Sequence, residues 1–267
     1  MARLDGELVS RGIARSRERA KEMIKNGCVT VNGKTAKKPA QEVSAEDTVE
    51  SAEKETYVGR GLLKLEKAAE AFGLDFTGKI CLDIGASTGG FTEYLLLNGA
   101  EKVFAVDVGH GQLAGSLRQD SRVVNMENTD IRSVLPEDIG GQAEFVCGDV
   151  SFISLKKILP KVYELLREDG SAAMLIKPQF EAGKSSIGKK GVVKDRKVHV
   201  KVLEEIHSFA ELIGFSAADY TYSPIKGGSG NIEYLVLLKK NGDKGKFFDF
   251  RRLVDEAFGE MRQEEKS

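Results

Sequence analysis

Asp83, Asp107, Asp149 and Lys177 are residue types able to do chemistry, and each closes a short apolar run, in KICLDIG, KVFAVDV, AEFVCGDV and SAAMLIKP. Acids and an amine at the ends of successive buried strands gather along one rim of a sheet, where open α/β folds bind ligands. The turn after the first run, DIGASTGGF over residues 83–91, is glycine-rich, yet Gly85, Gly89 and Gly90 miss the G-x-G-x-x-G spacing of a dinucleotide loop. No Gly-Lys-Ser/Thr closes it as a phosphate loop requires. Asp83 also opposes a diphosphate, since like charges about 4 Å apart repel by roughly 4 kcal/mol at an effective dielectric near 20. Its carboxylate suits a cationic ligand group. Asp107 stands 22 residues after Gly85, where an acid accepts hydrogen bonds from the ribose hydroxyls of an adenosine-containing cofactor. The combination favours S-adenosylmethionine, with its amino group drawn to Asp83.

Lys177 follows AAMLI in what reads as a central strand. Desolvation there disfavours an ammonium and makes a neutral amine more accessible; a surface lysine at a strand end is the competing reading. Lys64 shares a helix face with Arg60 and Lys67, a spacing more often found on a solvated face than in a site. Glu233, in SGNIEYL, reads as a charge at a strand entry.

The elements that must position these residues start at residue 59. GLLKLEKAAEAFGL carries Leu65, Ala68, Ala69 and Phe72 on one helical face, and FTEYLLLNG is the helix between the first two strands. Further strands are expected at RVVNM, AEFVCGDV, SAAMLIKP, FSAADYTY and IEYLVLLKK, with helices near 155–167 and 195–213. Strands separated by helices predict an α/β fold with a doubly wound parallel sheet. SPIKGGSGN is too short for a crossover helix, so the last strand is expected antiparallel.

Ahead of this lies a small α+β domain, read as residues 1–50, then a polar linker, 51–58, and the large domain, 59–267. In SRERAKEMIKNG, Ser16 is the expected N-cap and Gly27 the stop, and CVTVNGKT alternates and turns at Asn32-Gly33, a hairpin signal. The net charge of -1 hides an asymmetry: residues 1–38 hold ten Lys/Arg against four Asp/Glu, and the remainder thirty against thirty-seven. A basic arm on an acidic body points to a polyanion. Cys28, Cys81 and Cys147 are widely separated and form no ligand-spaced cluster with the three histidines, so neither zinc nor a disulfide framework is indicated, and a reducing cytoplasm fits. The N-terminus is charged and the apolar runs are strand-sized, so neither an export signal nor a membrane span is expected.

The motifs YVGRGLLKL, LDIGASTGGFTEYLL, FAVDVGHGQL, VCGDVSFISL, IKPQFEAGK, GVVKD and GNIEYL resemble the TlyA-type family, whose members carry the names hemolysin and ribosomal RNA 2'-O-methyltransferase. The likeness runs end to end, because RLDGELVSRGIARSRERAKEMIKNGCVTVNG resembles the S-four RNA-binding domain that begins members of this family. It implies an FtsJ-like, Rossmann-like methyltransferase domain that uses S-adenosylmethionine and needs no metal. It also implies a catalytic set, Lys64, Asp149, Lys177 and Glu233, around the ribose hydroxyl. Cofactor contacts are expected from Asp83, Gly85, Ser87, Gly89, Gly90 and Asp107, and from Asp130 toward the adenine amino group. Ser87-Thr88 replaces the Ala-Pro pair usual in the broader group. RNA is expected on Arg3, Arg11, Arg15, Arg17, Arg19, Lys21 and Arg60, through salt-dependent phosphate contacts. The partner implied is ribosomal RNA or ribosomal subunits, at cytidine.

A ribose hydroxyl is a poor nucleophile at neutral pH and must lose its proton as it reacts. Lys177 either accepts that proton or holds the hydroxyl and stabilises negative charge while Asp149 orients it. Three other readings compete. A membrane-lytic protein needs an export signal, a span or a lytic helix; a non-catalytic RNA-binding factor has no need of the four polar residues; and pseudouridine synthesis leaves the glycine loop without purpose.

Overall fold

Seven strands form where the apolar runs predict them. The computed structural model describes all residues except 1, 12, 15, 16, 45, 53–56, 184, 185, 189, 190, 244 and 265–267, and the side chains of 18, 19 and 262–264. The chain divides into two units, Met1–Tyr57 and Val58–Ser267.

In the larger unit the strands are β1 (Ile80–Ile84), β2 (Lys102–Val106), β3 (Val123–Met126), β4 (Ala143–Gly148), β5 (Leu166–Ile176), β6 (Ser216–Tyr222) and β7 (Tyr234–Lys239). Their order is β6-β7-β5-β4-β1-β2-β3. The pairs from β5 through β3 are parallel, and β7 runs antiparallel to both β5 and β6, as the short connection requires. Alternate residues face opposite layers. Leu82, Ile84, Val146, Met174 and Val236 pack against helices Arg196–Leu212 and Phe250–Glu264 through Val202, Ile206, Val254 and Ala257. Cys81, Phe145, Cys147, Ala173 and Leu235 pack against α1 (Leu62–Phe72) and α2 (Gly90–Leu97) through Leu65, Ala68 and Leu95. Burying each large aliphatic side chain contributes about 1.5–3 kcal/mol, so a charged residue is tolerated only where a strand leaves this sandwich. The helix expected near 155–167 is shorter, Leu159–Leu165, with a 3-10 turn at Leu155–Lys157 before it.

The smaller unit has helices Leu4–Ser10 and Arg17–Lys25 over a sheet in which Val29–Val31 pairs with Lys34–Thr35 and with Val49–Ser51. The hairpin turns at Asn32 (φ 52°) and Gly33 (φ 74°), the double left-handed geometry of a type I′ turn. Leu4, Leu8, Met23, Ile24 and Val29 fill its own core. The expected cap Ser16 lies outside the described residues. Ser51, read as the first linker residue, instead ends a strand, and Ala52 N–H donates to Cys28 O at 2.8 Å, because Val49 buries its side chain and carries its neighbours into the ladder.

Candidate active site

Register brings the polar residues to one rim. Parallel pairing of Met174 with Gly148 sets Asp149 and Lys177 just beyond adjacent strand ends. Antiparallel pairing of Ile176 with Tyr234 sets Glu233 opposite Lys177, so β7 contributes its beginning where its neighbours contribute their ends. Asp149 N–H donates to Ile84 O at 2.9 Å. Gly85, at φ 80°, lets the turn after β1 pass this point: a Cβ there would stand 2.7 Å from Asp149 O. Lys64 arrives from α1, and here the solvated-face reading is corrected. Arg60 precedes the helix and is exposed, whereas Lys64 is buried beside Leu65.

The four side chains form an alternating chain of charge. Lys177 Nζ lies 2.5 Å from Asp149 Oδ1, Lys64 Nζ 2.9 Å from Asp149 Oδ2 and 2.8 Å from Glu233 Oε2. Lys177 also donates to Ser151 Oγ at 2.9 Å, and Gln179 Nε2 donates to Glu233 Oε1 at 3.0 Å. Burial works against the Lys64 ammonium, but Asp149 and Glu233 outweigh it and hold its pKa above the ordinary lysine value. Burial likewise works against the Asp149 carboxylate, and the two ammonium groups outweigh it, keeping that carboxyl below its usual range. Glu233, read as a strand-entry charge, is 2% exposed; a carboxylate so placed persists because it is paired.

Two adjoining clefts open on this chain. One, of about 370 Å³, is lined by Arg60, Lys64, Asp83, Gly85, Ser87, Gly90, Asp149 and Lys177 among others. The second, of about 520 Å³, runs over Gly85, Ser87, Asp107, Gly109, Asp130, Asp149 and Phe152. Asp83, within β1, is fully buried against the start of α2, where its Oδ2 accepts from Thr92 N–H (2.9 Å) and Oγ1 (2.7 Å). Among the described residues its Oδ1 has no hydrogen-bond partner, an orphaned acceptor that suits a cationic amino group. Burial, against the Thr92 hydrogen bonds and with Asp149 and Asp107 adding repulsion, pushes this carboxyl up to about 7. Asp107 accepts from Ser87 N–H (2.8 Å) and Gly109 N–H (2.7 Å), and its carboxylate has capacity to accept further hydrogen bonds. Ser87 takes φ 50° and donates through Oγ to Gln112 Oε1 at 3.2 Å. Gly90 opens α2, where a Cβ would stand 2.9 Å from Leu62 N. Gly89 lines neither cleft and forms the left-handed N-cap of α2. Asp130 lines the larger cleft, with its carboxylate paired to Arg132 at 2.5 Å. An orphaned buried acid beside an acid-lined groove of this size fits S-adenosylmethionine.

Several contributors carried no signal in residue spacing. Ser151 and Gln179 terminate the charged chain. Phe152, 91% exposed at φ 63°, sets its ring 5.0 Å from that of Phe180, over which Lys177 Nζ lies at 5.8 Å. A left-handed bulky residue is strained. The aromatic in VCGDVSFISL, directly after a strand-end acid, was the available clue. Glu127 accepts from Gln112 N–H (2.5 Å) and Leu113 N–H (3.0 Å), which fixes the 109–113 loop above the larger cleft.

The basic residues of the small unit divide. The Arg11 guanidinium bonds Glu7 Oε1 (2.8 Å), Asp47 O (2.7 Å) and Ser44 O (3.0 Å), so it braces the unit's own loop. Arg3 forks onto buried Asp5 at 3.1 and 2.8 Å while staying half exposed. Arg17 is exposed at the start of its helix and Lys21 is half-buried. Arg15 and the Arg19 side chain lie outside the described residues.

The model of the FtsJ-like methyltransferase family matches residues 57–240, and that of the S4 domain matches residues 2–49. The chain is 45% identical over 245 residues to the 16S/23S rRNA (cytidine-2'-O)-methyltransferase TlyA of Mycobacterium tuberculosis, covering 91% of each protein. It is 43% identical over 235 residues to hemolysin A of Brachyspira hyodysenteriae, covering 88% of this chain and 98% of that one. A solved structure from Streptococcus thermophilus, also named a hemolysin, superposes with a TM-score of 0.82 at 42% identity, covering 100% of this chain and 98% of the other.

Proposed function

Because this chain belongs to the TlyA-type branch of the FtsJ-like methyltransferases, with an S4 domain ahead of the methyltransferase domain, we propose that it methylates the 2'-oxygen of a cytidine ribose in ribosomal RNA. The observation that carries this reading is the Lys177–Asp149–Lys64–Glu233 chain at the mouth of the cofactor clefts. We assign those four residues to catalysis, and Asp83, Asp107, Ser87 and the Gly85–Gly90 turn to the cofactor. When bound, S-adenosylmethionine supplies an electrophilic methyl group. Lys177 holds the ribose hydroxyl and steadies the negative charge that builds on its oxygen as the proton passes to solvent water; Asp149 orients that ammonium, and Lys64 and Glu233 fix Asp149. The 2.5 Å contact with Asp149 supports this role for Lys177 over proton acceptance, since an ammonium so paired must first surrender a proton. The reading puts the protein with ribosomes in the cytoplasm; among the described residues, no helix is long and apolar enough to cross a membrane.

Transfer of labelled methyl from S-adenosylmethionine to ribosomal subunits, followed by mapping of the modified nucleotide, tests the reading. Label on a base, or none on RNA, overturns it. The small unit has its own core, so residues 58–267 should fold, bind cofactor and methylate subunits poorly. Full activity of that fragment would show that the basic unit is not the substrate grip. High salt should mimic the deletion, as each lost phosphate contact lowers the logarithmic salt slope by about 0.9 on a duplex.

Cofactor affinity should depend on pH through Asp83. A carboxyl raised to about 7 is mostly protonated below that pH, and pairing with a cationic amino group must expel the proton. Affinity should therefore fall by about tenfold per pH unit below 7 and level off above it. Calorimetry in buffers of different ionisation enthalpy should show close to one proton released on the acid side. Asp83→Asn should bind more weakly with a flat profile; a flat wild-type profile would sink the assignment.

A further inference from the structure

Glu233 is gripped on both oxygens. Oε2 accepts from Lys64 and Oε1 from Gln179 Nε2 at 3.0 Å, while Gly227 closes over the same Oε1 so tightly that a Cβ there would stand 2.3 Å away. The Gln179 amide can face Glu233 only by its nitrogen, because its oxygen would oppose a carboxylate. That oxygen, Oε1, is buried without a hydrogen-bond partner among the described residues. Leaving an acceptor dry is unfavourable, so this orientation is retained for what the nitrogen does. Gln179 lies in the single turn Pro178–Glu181 that follows Lys177. The contacts Lys177–Asp149–Lys64–Glu233–Gln179 therefore close into a ring through the backbone of residues 177–179.

We infer that Gln179 is a positioning residue for ribose methylation: it fixes the Glu233 carboxylate and, by closing the ring, sets Lys177 against Asp149. This rests on the methyltransferase reading above. Glutamine suits the task because it is a neutral donor: a lysine would add a third ammonium to the ring, and a glutamate would repel Glu233 until protonated.

Single-turnover methyl transfer to ribosomal subunits tests it with Gln179→Met, which keeps the shape and removes the donor, and with Gln179→Glu. The Met variant should lose on the order of 10- to 10²-fold in rate at saturating subunits, the scale of a small misplacement of reacting groups. Its affinities for S-adenosylmethionine and for subunits should stay within about twofold of wild type, since Gln179 lines neither cleft. In a Glu233→Ala background the Met substitution should cost nothing further, because the bond it removes is already gone. Relative to wild type, Gln179→Glu should gain activity from about pH 8 to about pH 6, as its protonated carboxyl takes over donation to Glu233. A Met variant of near wild-type rate, an equal loss with and without Glu233, or a pH-independent ratio for the Glu variant overturns the assignment. An active wild type alongside an equally active Met variant removes only the role of Gln179; an inactive wild type removes the methylation reading and this role together.

Discussion

Lys177→Ala should lower methyl transfer to ribosomal RNA by about 10²-fold or more, the usual scale for losing a group that stabilises charge developing in the transition state. Folding should survive, because Asp149 keeps Lys64 at 2.9 Å and no carboxylate is left unpaired. Cofactor affinity should hardly change, since Asp83 and Asp107 lie on other strand ends. Lys177→Arg separates the two chemical roles: arginine keeps the charge and cannot release a proton at neutral pH. Appreciable activity in the Arg variant would confine position 177 to charge stabilisation, and loss in both variants with intact cofactor binding would favour proton acceptance. An Ala variant fully active on ribosomal RNA would end the four-residue assignment.

Asp149→Asn should be the most damaging substitution to the molecule as a whole. This carboxylate is shared by two ammonium groups, and its removal leaves Lys64 with Glu233 but Lys177, among the described residues, with the neutral Ser151 Oγ at 2.9 Å and the Phe180 ring. Breaking a buried pair in this way costs about 3–5 kcal/mol. With the Asp149 side chain 19% exposed, the lower end is expected, a melting temperature lower by roughly 10 °C. Methyl transfer should drop at least as far as in Lys177→Ala, because the ammonium loses its orienting partner. Thermal melts and single-turnover rates check the two effects separately. A variant that melts within a degree or two of wild type would show that the ring is not a shared electrostatic unit.

The residues themselves determined the α/β class, the antiparallel last strand, the Asn32-Gly33 hairpin and the rim residues Asp83, Asp107, Asp149 and Lys177. All of these follow from local patterns: a strand end shows where an apolar run stops, and a short connection forbids a crossover. Lys64 and Glu233 were different. Spacing read one as a solvated helix face and the other as a strand-entry charge, and only the family likeness placed them in the site. Tertiary structure decided their burial, because β7 pairs antiparallel and brings the residue just before it to the rim, and because α1 docks with Lys64 toward Asp149. It also decided that Arg11 braces its own unit and that Gln179 closes the ring. Hydrophobic period and charge count are properties of neighbouring residues, whereas a salt bridge depends on sheet register across 85 residues, from Lys64 to Asp149, or 169, from Lys64 to Glu233, which no local pattern encodes.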